Sequence, residues 1–242
     1  MVVPSRMIDV HAHILPGIDD GAKTFEDSIN IIKELMRQGV TDIIATPHYV
    51  NESIYMSPRL ENVRILNELK DRLALENIKI NLFLGNEIYI DREMIDLIKR
   101  GKISTMAGSK YLLVELPLDE KWPNYDDFLR ELMDYGYKVI LAHPERYTII
   151  QEDYEVAKNL FDMGVLLQCN MGSVVGKYGR EAKKLVRRMA KDKMIFTFGS
   201  DIHHCSRSDY LVLAKRKLNK YYSDGELKQL LVTNPNKILN NR

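Results

Sequence analysis

The stretch IDVHAHILPGIDDG, residues 8–21, joins an apolar run to two histidines, His11 and His13, and then to the acidic pair Asp19 and Asp20. The whole chain has only six histidines, so this segment holds a third of them beside two carboxylates. A single pair of this kind also arises by chance on a protein surface. What the segment indicates therefore depends on where the other four histidines occur.

Six further apolar runs follow the first, and each is short and mostly continuous rather than alternating in polarity. Runs of this kind, rich in β-branched and aromatic residues, are typical of strands buried on both faces of a parallel sheet. The seven predicted strands are 7–11, 42–48, 80–87, 111–117, 137–145, 165–170 and 194–201.

Longer amphipathic segments separate these runs. In residues 24–38 the apolar side chains fall on one helical face, Thr24 can cap the start, and Gly39 can end the helix. A second helix opens at Ser57-Pro58. Further helices are predicted over 91–100, 125–135, 152–163, 180–192, 206–219 and 224–239, the last broken near Pro235.

Seven strand–helix alternations without a break in composition predict one α/β domain of barrel type over residues 1–242. The length fits, because single α/β barrels commonly occupy about 250 residues. An open, doubly wound sheet is the alternative architecture.

Almost every predicted strand is followed at its carboxyl end by a side chain that can bind a metal. Five of the six histidines lie at such ends, and His204 directly follows the last. Active sites of barrel enzymes are built at that face from several strands. The sequence therefore predicts a metal site formed by side chains from separate strands, namely His11, His13, His48, Glu87, Glu115, His143, Asp201 and His203.

The donors are imidazoles and carboxylates, with no set of thiolates, which favours Mn, Fe or Zn in a catalytic site. Together with one of Asp19 and Asp20 they exceed the needs of one ion, so two or three ions would share a bridging carboxylate. Ions about 3.5–4 Å apart can hold a phosphoryl group and lower the pKa of bound water from about 15.7 to roughly 7. This donor set is suited to phosphoester hydrolysis.

Three other chemistries lack their required residues. A thiolate phosphatase loop, Cys-x5-Arg, would need arginine where Cys205 is followed by Leu211 and Cys169 by Val175. The segment GSVVGKY, 172–178, resembles a phosphate-binding loop but is one residue short and ends in tyrosine, so we interpret it as a turn. No GxSxG motif of serine hydrolases occurs.

Charge and composition favour a cytoplasmic protein that binds neither nucleic acid nor membrane. Lys+Arg (35) and Asp+Glu (34) nearly cancel, and we interpret the basic run 183–193 as a solvated helix face. The N-terminal segment lacks the apolar core of a signal peptide, and no stretch approaches the ~18 apolar residues that span a bilayer. Two cysteines make no disulfide framework.

The chain resembles the polymerase-and-histidinol-phosphatase (PHP) superfamily. More narrowly, HAHILPGIDDGAKT followed by IIATPHY is similar to the manganese-dependent protein-tyrosine phosphatases of bacterial capsule and exopolysaccharide operons. The likeness runs from His11 to the C-terminal VTNPNKIL. The motifs that carry it are HAH (11–13), TPH (46–48), GNE (85–87), ELP (115–117), AHPERY (142–147) and GSDIH (199–203).

This resemblance implies a distorted (β/α)7 TIM-like barrel with three divalent ions, manganese first and iron or zinc as alternatives. One ion would be held by His11, His13, Glu87 and Asp201, and Glu87 would bridge to a second ion held with Glu115 and His143. The third would be held by Asp20, His48 and His203. The wider superfamily often has histidine at the position of Asp20, so the DDG sequence favours the tyrosine phosphatase branch.

The implied reaction is attack of a metal-bridging hydroxide on phosphotyrosine, with Arg146 and Arg207 placed to bind phosphate oxygens. By the same resemblance, the substrate would be the tyrosine-rich tail of a tyrosine kinase that controls polysaccharide synthesis. Three alternatives stay open: a histidinol-phosphate phosphatase, a metal-dependent phosphodiesterase or nuclease, and a binding module with a degenerate site. Neutral net charge counts against a nuclease, and the full donor set against a degenerate module.

Overall fold

The computed structural model describes residues 6–119, 124–205 and 208–240. These residues form a mixed α/β structure in which strands and helices alternate. The strands are β1 (Met7–Ala12), β2 (Val40–Ala45), β3 (His48–Tyr49), β4 (Asn81–Leu84), β5 (Glu87–Tyr89), β6 (Tyr111–Glu115), β7 (Lys138–Ala142), β8 (Leu166–Asn170) and β9 (Ile195–Gly199).

The helices lie between and after these strands. They are α1 (Phe25–Arg37), α2 (Arg59–Leu75), α3 (Met94–Lys99), α4 (Tyr125–Asp134), α5 (Thr148–Glu152), α6 (Glu155–Asp162), α7 (Met171–Val175), α8 (Gly179–Lys191), α9 (Tyr210–Leu218), α10 (Asp224–Lys228) and α11 (Asn234–Asn240). Helix α1 begins at the predicted cap, because the Thr24 side chain accepts a hydrogen bond from the backbone N–H of Asp27. Gly39, just past its end, has a φ of +94°.

All recorded strand pairs are parallel, as predicted. One sheet has the order β1-β2-β4 and the other the order β3-β5-β6-β7-β8-β9. The chain after β9 returns to β1, where His13 N donates to Ile202 O (3.0 Å) and Asp201 N donates to His11 O (2.9 Å). Parallel pairing brings the carboxyl ends of the strands to a common side of the molecule.

Two predicted strands, 42–48 and 80–87, are each broken in two, so the prediction of continuous strands is wrong there. The first break falls at Thr46-Pro47, where proline has no N–H to donate to a sheet. The second falls at Gly85-Asn86, where a Cβ on Gly85 would lie 3.2 Å from Ile44 Cγ2. Each break turns a polar side chain, His48 or Glu87, to the start of a new short strand.

The interpretation of GSVVGKY as a turn is also wrong in part. Met171–Val175 forms the short helix α7, and the turn covers only residues 176–178, beginning at Gly176, whose φ is +95°. The predicted helix 224–239 is not broken at Pro235; it passes through a π-helical turn at Gln229–Thr233 and resumes at Asn234. Proline fits at that point because it lies in the first turn of α11, where a missing N–H is tolerated.

The interior is apolar on both sides of the sheets. The strands contribute continuous buried runs such as Leu112–Val114 and Val139–Ala142, and the helices cover them with side chains such as Leu69 and Leu132. This matches the expectation for parallel sheets covered on both faces. Across the described ranges, no helix combines the length and apolarity needed to cross a membrane.

Candidate metal centre

Nine side chains predicted as metal ligands lie together at the carboxyl side of the strands. Most are buried, and the loop residue Asp20 is half-exposed. Arg207, predicted to bind phosphate, lies outside the described residues. The nine are His11 at the end of β1, His13 after it, Asp20 before α1, His48 opening β3, Glu87 opening β5, Glu115 ending β6, His143 after β7, and Asp201 and His203 after β9.

A first group of donors faces one point between β1 and β9. The Nε2 atoms of His11 and His13 are 3.2 Å apart. Glu87 Oε2 lies 3.1 and 3.3 Å from these two nitrogens, and Asp201 Oδ1 lies 3.5 and 3.6 Å from them. His11, His13 and Asp201 each offer one donor atom close enough to the other two to bind a single cation, and Glu87 Oε2 adjoins this set.

A second group uses the other oxygen of Glu87. His143 Nε2 lies 2.9 Å from Glu87 Oε1 and 3.6 Å from Glu115 Oε1. Because its two oxygens face different donor sets, Glu87 has the geometry of a carboxylate shared between two ions.

A third group lies toward solvent. Asp20 Oδ1 is 3.5 Å from His48 Nε2 and 3.3 Å from His203 Nε2. The ring of His203 stacks on that of His13, with centroids 4.0 Å apart. His48 also turns its Nδ1 toward Glu87 Oε2, at 3.1 Å. The three groups are thus contiguous, and the third is the open side of the cluster.

The hydrogen bonds at the Nδ1 atoms of His11 and His13, which point away from the cluster, indicate why a cation fits the first group. His11 Nδ1 lies 2.7 Å from Gln168 Oε1, and His13 Nδ1 lies 2.7 Å from Asp19 Oδ2. Both partners are acceptors, so each Nδ1 carries a proton, and each ring presents a lone pair at Nε2 when it is neutral. Two Nε2 atoms 3.2 Å apart repel unless a proton or a metal ion lies between them.

A buried oxygen without a hydrogen bond supports the same conclusion. Three imidazole nitrogens lie within 3.3 Å of Glu87 Oε2, yet this oxygen accepts no hydrogen bond of acceptable geometry from the described residues. A buried carboxylate oxygen that accepts no hydrogen bond lowers the stability of the fold unless it binds a cation. The donor set therefore fits divalent metal ions.

The charge balance of the cluster also favours cations. Burial alone would raise the pKa of Glu87, but the His11 and His48 imidazoles hold that pKa well below its usual value. Burial is likewise outweighed at Asp201, chiefly by His11, and its pKa is about 2. At Glu115, burial and the neighbouring carboxylates Glu87 and Asp201 raise the pKa well above its usual value. The site thus holds more carboxylates than its imidazoles neutralise.

Asp201 is held in place through its outer oxygen. Its Oδ2 accepts hydrogen bonds from Asn170 Nδ2 (2.7 Å), Arg146 (2.9 Å) and the Tyr178 hydroxyl (3.3 Å). The Tyr178 ring also stacks on Arg146, whose guanidinium carbon lies 4.6 Å from the ring centroid. These contacts leave Oδ1 facing the histidines and hold Arg146 at the edge of the cluster.

Two of the nine residues have backbone conformations that side chains other than glycine rarely adopt. His143 has a φ of +34° and Asp201 a φ of +51°. Such conformations cost about 1–3 kcal/mol each and persist where the surrounding structure requires them. Here each one turns a donor at the end of a strand back over the cluster.

Three residues around the cluster were absent from the sequence prediction: Gln168 and Asn170 orient His11 and Asp201 through the hydrogen bonds above, and Tyr178 positions Arg146. Asp19 was considered there only as an alternative to Asp20 for a metal ligand, and it instead orients His13. One signal was present in the sequence. Gln168 and Asn170 are polar residues inside an otherwise apolar strand, where burial without a partner is costly.

Comparison with known proteins gives consistent results. The profile of the family described as "Capsular polysaccharide synthesis, CpsB/CapC" matches residues 7–240. A putative tyrosine-protein phosphatase, CapC of Staphylococcus aureus, is 34% identical over 224 residues, covering 91% of this chain and 87% of that protein. The tyrosine-protein phosphatase YwqE of Bacillus subtilis is 32% identical over 238 residues, covering 98% and 92%.

A solved structure is similar over nearly the whole chain. It is described under "Crystal structures of YwqE from Bacillus subtilis and CpsB from Streptococcus pneumoniae, unique metal-dependent tyrosine phosphatases". The TM-score is 0.90 at 32% identity, with coverage of 98% of this chain and 95% of the other. Fold, length and sequence agree, and the chain belongs to the CpsB/CapC family of capsular polysaccharide synthesis proteins.

Proposed function

We propose that this protein is a metal-dependent protein-tyrosine phosphatase, which hydrolyses the phosphate ester of phosphotyrosine in polypeptides. The names of its relatives and the description of the similar solved structure support this activity. The observation that carries the proposal is the contiguous cluster of imidazoles and carboxylates, in which Glu87 faces two donor sets with its two oxygens.

The nine clustered residues would hold three divalent ions. The first ion would bind His11, His13, Glu87 and Asp201. The second would bind the other oxygen of Glu87 together with Glu115 and His143. The third would bind Asp20, His48 and His203. Distances of 2.9–3.7 Å between donor atoms within and between these sets support the assignment.

Manganese is the metal we propose, with iron or zinc as alternatives, because all donors are nitrogen and oxygen atoms. When bound, such ions lower the pKa of coordinated water and make hydroxide available as a nucleophile at neutral pH. The reaction proceeds without a covalent intermediate on the protein. Cys169 is buried and its pKa is raised well above the usual value by burial, which makes it a poor nucleophile.

Arg146 would bind the phosphate of the substrate. One of its terminal nitrogens donates to Asp201, and a quarter of the side chain is exposed at the edge of the cluster. The planar guanidinium leaves further N–H groups to donate to phosphate oxygens. We assign the same role to Arg207. The leaving tyrosinate has a pKa near 10, so the ester needs less help from a general acid than an alkyl phosphate does.

At the level of the fold, we propose that the two sheets are parts of one distorted (β/α)7 TIM-like barrel of the PHP superfamily, formed by a single domain spanning residues 1–242. Hydrogen bonds across the breaks support this architecture. Thr46 N donates to Ala12 O (3.0 Å), Gly85 N to Ala45 O (2.8 Å) and Glu87 N to Pro47 O (3.1 Å). With the contacts between β1 and the segment after β9, neighbours run continuously from one sheet into the other.

The natural substrate we propose is a phosphorylated, tyrosine-rich tail of a tyrosine kinase that controls capsular or exopolysaccharide synthesis, and the compartment is the cytoplasm. Membership of a capsular polysaccharide synthesis family supports the first point. Neither Cys169 nor Cys205 forms a disulfide among the described residues, which fits the second point, because cytoplasmic proteins keep their thiols reduced.

The test combines metal analysis with turnover. Purified protein is analysed for metal, stripped with a chelator, and supplied again with Mn, Fe or Zn. We expect phosphate release from a phosphotyrosine peptide to disappear on stripping and to return best with Mn, while histidinol phosphate is turned over slowly. Preference for histidinol phosphate would assign the rival activity, and full turnover by ion-free protein would overturn the metal mechanism.

Two histidine variants provide a matched comparison. His13→Ala removes an imidazole from the first donor group, and we expect kcat/KM to fall by at least about 100-fold. His204→Ala removes an exposed imidazole outside the three groups, and we expect no comparable loss. Equal effects would show that the assay does not report on the cluster.

A further inference from the structure

Helix α8 carries a concentrated positive charge on its outer side. Six cationic side chains, here called the basic face, occur in thirteen residues that contain a single acidic residue, Glu181. The chain as a whole has a net charge of only +1, so this is a local excess. The basic face consists of Arg180, Lys183, Lys184, Arg187, Arg188 and Lys191.

The apolar side of α8 packs against the core, and the basic face on the other side is in contact with solvent. Leu185, Val186 and Met189 are buried in the core, whereas most of the basic face is exposed. Among the described residues, Lys184 is the member of this face with a carboxylate within 4.0 Å, Glu181 at 3.6 Å. Arg188 stacks on the Tyr154 ring, with its guanidinium carbon 3.8 Å from the ring centroid. Arg187 and Lys191 are exposed and offer their charges to an external anion.

The basic face begins at the candidate metal centre. Tyr178, one residue before α8, contacts both Asp201 and Arg146. The ammonium group of Lys177 lies 5.6 Å from the Tyr178 ring and adds a positive charge at this edge. The cationic residues follow one another along α8, so the charges form a row whose first end lies next to Tyr178.

The row borders a groove that could receive an extended chain. Tyr221 lines it together with the basic face. An adjoining cleft has an apolar floor that includes Val186 and Leu218, and Lys217 and Lys220 add two more charges at its edge. Cationic edges around an apolar floor suit a polypeptide that carries acidic side chains.

We propose that the basic face is a docking site for an acidic segment of the phosphotyrosine polypeptide, four to six residues away from the phosphotyrosine. The inference deepens the proposed function and rests on it. A helix rises about 1.5 Å per residue, so Arg187 and Lys191 lie roughly 13 and 20 Å along the axis from Tyr178. An extended peptide spans about 3.3 Å per residue, which gives the four to six residues.

A polypeptide fits this face better than a lipid surface does. Helices that lie on membranes insert an apolar face below the headgroups. The apolar face of α8 is instead buried against the core, and the exposed large hydrophobic side chains of the described residues lie on other segments. The row of charges also begins next to Tyr178, which stacks on Arg146.

The test uses three peptides with one phosphotyrosine each. The first has neutral flanks, the second has three glutamates four to six residues from the phosphotyrosine, and the third has them one to three residues away. We expect the native, metal-loaded enzyme to show a KM at least about fivefold lower for the second peptide than for the first, with a smaller gain for the third. Raising NaCl from 50 to 300 mM should reduce the preference.

Two charge-reversal variants separate the basic face from net charge. In Arg187→Glu combined with Lys191→Glu, we expect the preference for the second peptide to disappear. The control, Lys70→Glu combined with Lys79→Glu, changes the net charge equally at exposed positions beside β4 and should keep the preference. An equal loss in both variants, or no loss in the first, would overturn the proposal.

Binding measurements distinguish this proposal from the failure of the phosphatase assignment. Fluorescence anisotropy of the labelled second peptide with the His13→Ala protein reports docking without turnover. Absence of turnover with any peptide would remove the proposed function, while a native preference in binding would still support the docking site. Co-sedimentation with phosphatidylserine vesicles that is lost in the reversal variant, without any peptide preference, would assign the face to membranes and overturn the proposal.

Discussion

Asp19 lies behind the imidazole of His13 and orients it toward the cluster. It receives the Nδ1–H of His13 and also accepts hydrogen bonds from the backbone N–H groups of Gly21 and His48, at 2.9 and 3.0 Å. A carboxylate behind a ligating imidazole fixes the ring and makes its other nitrogen a stronger donor. The adjacent Asp20, in contrast, faces His48 and His203 directly.

We expect Asp19→Asn to weaken metal binding about 10- to 100-fold, because the amide retains the shape but loses the charge that strengthens His13 as a donor. Activity should return at high Mn concentration. The measurement is a titration of stripped protein with Mn, followed by activity and by isothermal calorimetry. An unchanged affinity would mean that the Asp19 contact is structural only.

Tyr178 is expected to act by holding Arg146 rather than by touching the reacting atoms. Tyr178→Leu removes the stacked ring, and we expect the KM for a phosphotyrosine peptide and the inhibition constant of inorganic phosphate to rise about fivefold. Tyr178→Phe keeps the ring and loses only the 3.3 Å hydrogen bond to Asp201, so both constants should stay within about twofold of native. A rise in neither constant for the leucine variant would remove this role.

At this scale the sequence predicted which donors come together but not how each is oriented. His11, Glu87 and Asp201 could be selected because metal-binding residue types recur after apolar runs. The partners of these donors were not predictable, because Gln168 and Asp19 meet them only through tertiary folding. Positive φ at His143 could not be predicted either, since that conformation is rare outside glycine and is imposed by the surrounding structure.

Among the elements, the sequence predicted the alternation correctly and the continuity of two strands wrongly. Apolar runs identify a strand, but a run does not show where the backbone leaves the sheet. The breaks at Pro47 and Gly85 depend on a missing N–H and on a close approach to Ile44. These breaks matter for the site, because His48 and Glu87 follow them and pair across β3 and β5.

Strands β1, β8 and β9 approach one another so closely at the cluster that a methyl group would not fit. A Cβ on Gly199 would lie 2.7 Å from His11 Cβ and 2.9 Å from Gln168 Nε2. We expect Gly199→Ala to destabilise the fold by about 1–3 kcal/mol and to weaken metal binding as well, because it displaces His11 and its partner. Urea unfolding and Mn titration measure the two effects.

Gly225→Ala is the matched control for that variant. Gly225 lies in α10, its φ is not positive, and a Cβ there would meet no atom within 4 Å. Alanine restricts the unfolded chain, so we expect stability to rise by about 0.4–1 kcal/mol with no change in metal affinity. If Gly199→Ala behaved like this control, the close approach of β9 to β1 would not constrain the site.

On the scale of the whole molecule, the cluster brings together residues from the first strand, from the middle strands and from the segment after the last strand. β1 contributes His11, the middle strands contribute Glu87 and His143, and the segment after β9 contributes Asp201. Because the carboxylates of Glu87, Glu115 and Asp201 lie close together with little exposure to solvent, they repel one another in the folded protein without cations. Bound ions would offset this repulsion, so metal binding and folding should be coupled.

We therefore expect chelation to lower the melting temperature. An ion present at about 100 times its Kd stabilises the native state by about 2.7 kcal/mol, and each kcal/mol shifts the Tm of a domain of this size by roughly 2–4 °C. Stripping one such site should lower Tm by about 5–10 °C. Scanning calorimetry of loaded and stripped protein measures the shift, and a chelator already saturated with calcium controls for the additive.

The size of that shift should depend on pH, because metal binding needs deprotonated imidazoles. Burial lowers the pKa of His13, but the Asp19 and Glu87 carboxylates outweigh it and hold that pKa well above the unfolded value near 6.5. In stripped protein the protonated ring therefore stabilises the fold below the unfolded pKa, and this stability is lost as pH rises through the folded pKa. Metal affinity instead rises with pH, by about tenfold per pH unit for each proton that the metal displaces.

The difference in Tm between loaded and stripped protein should thus be larger at pH 8 than at pH 6, and His13→Ala should reduce the difference at both values. An equal difference at the two pH values in the native protein would contradict binding through these imidazoles.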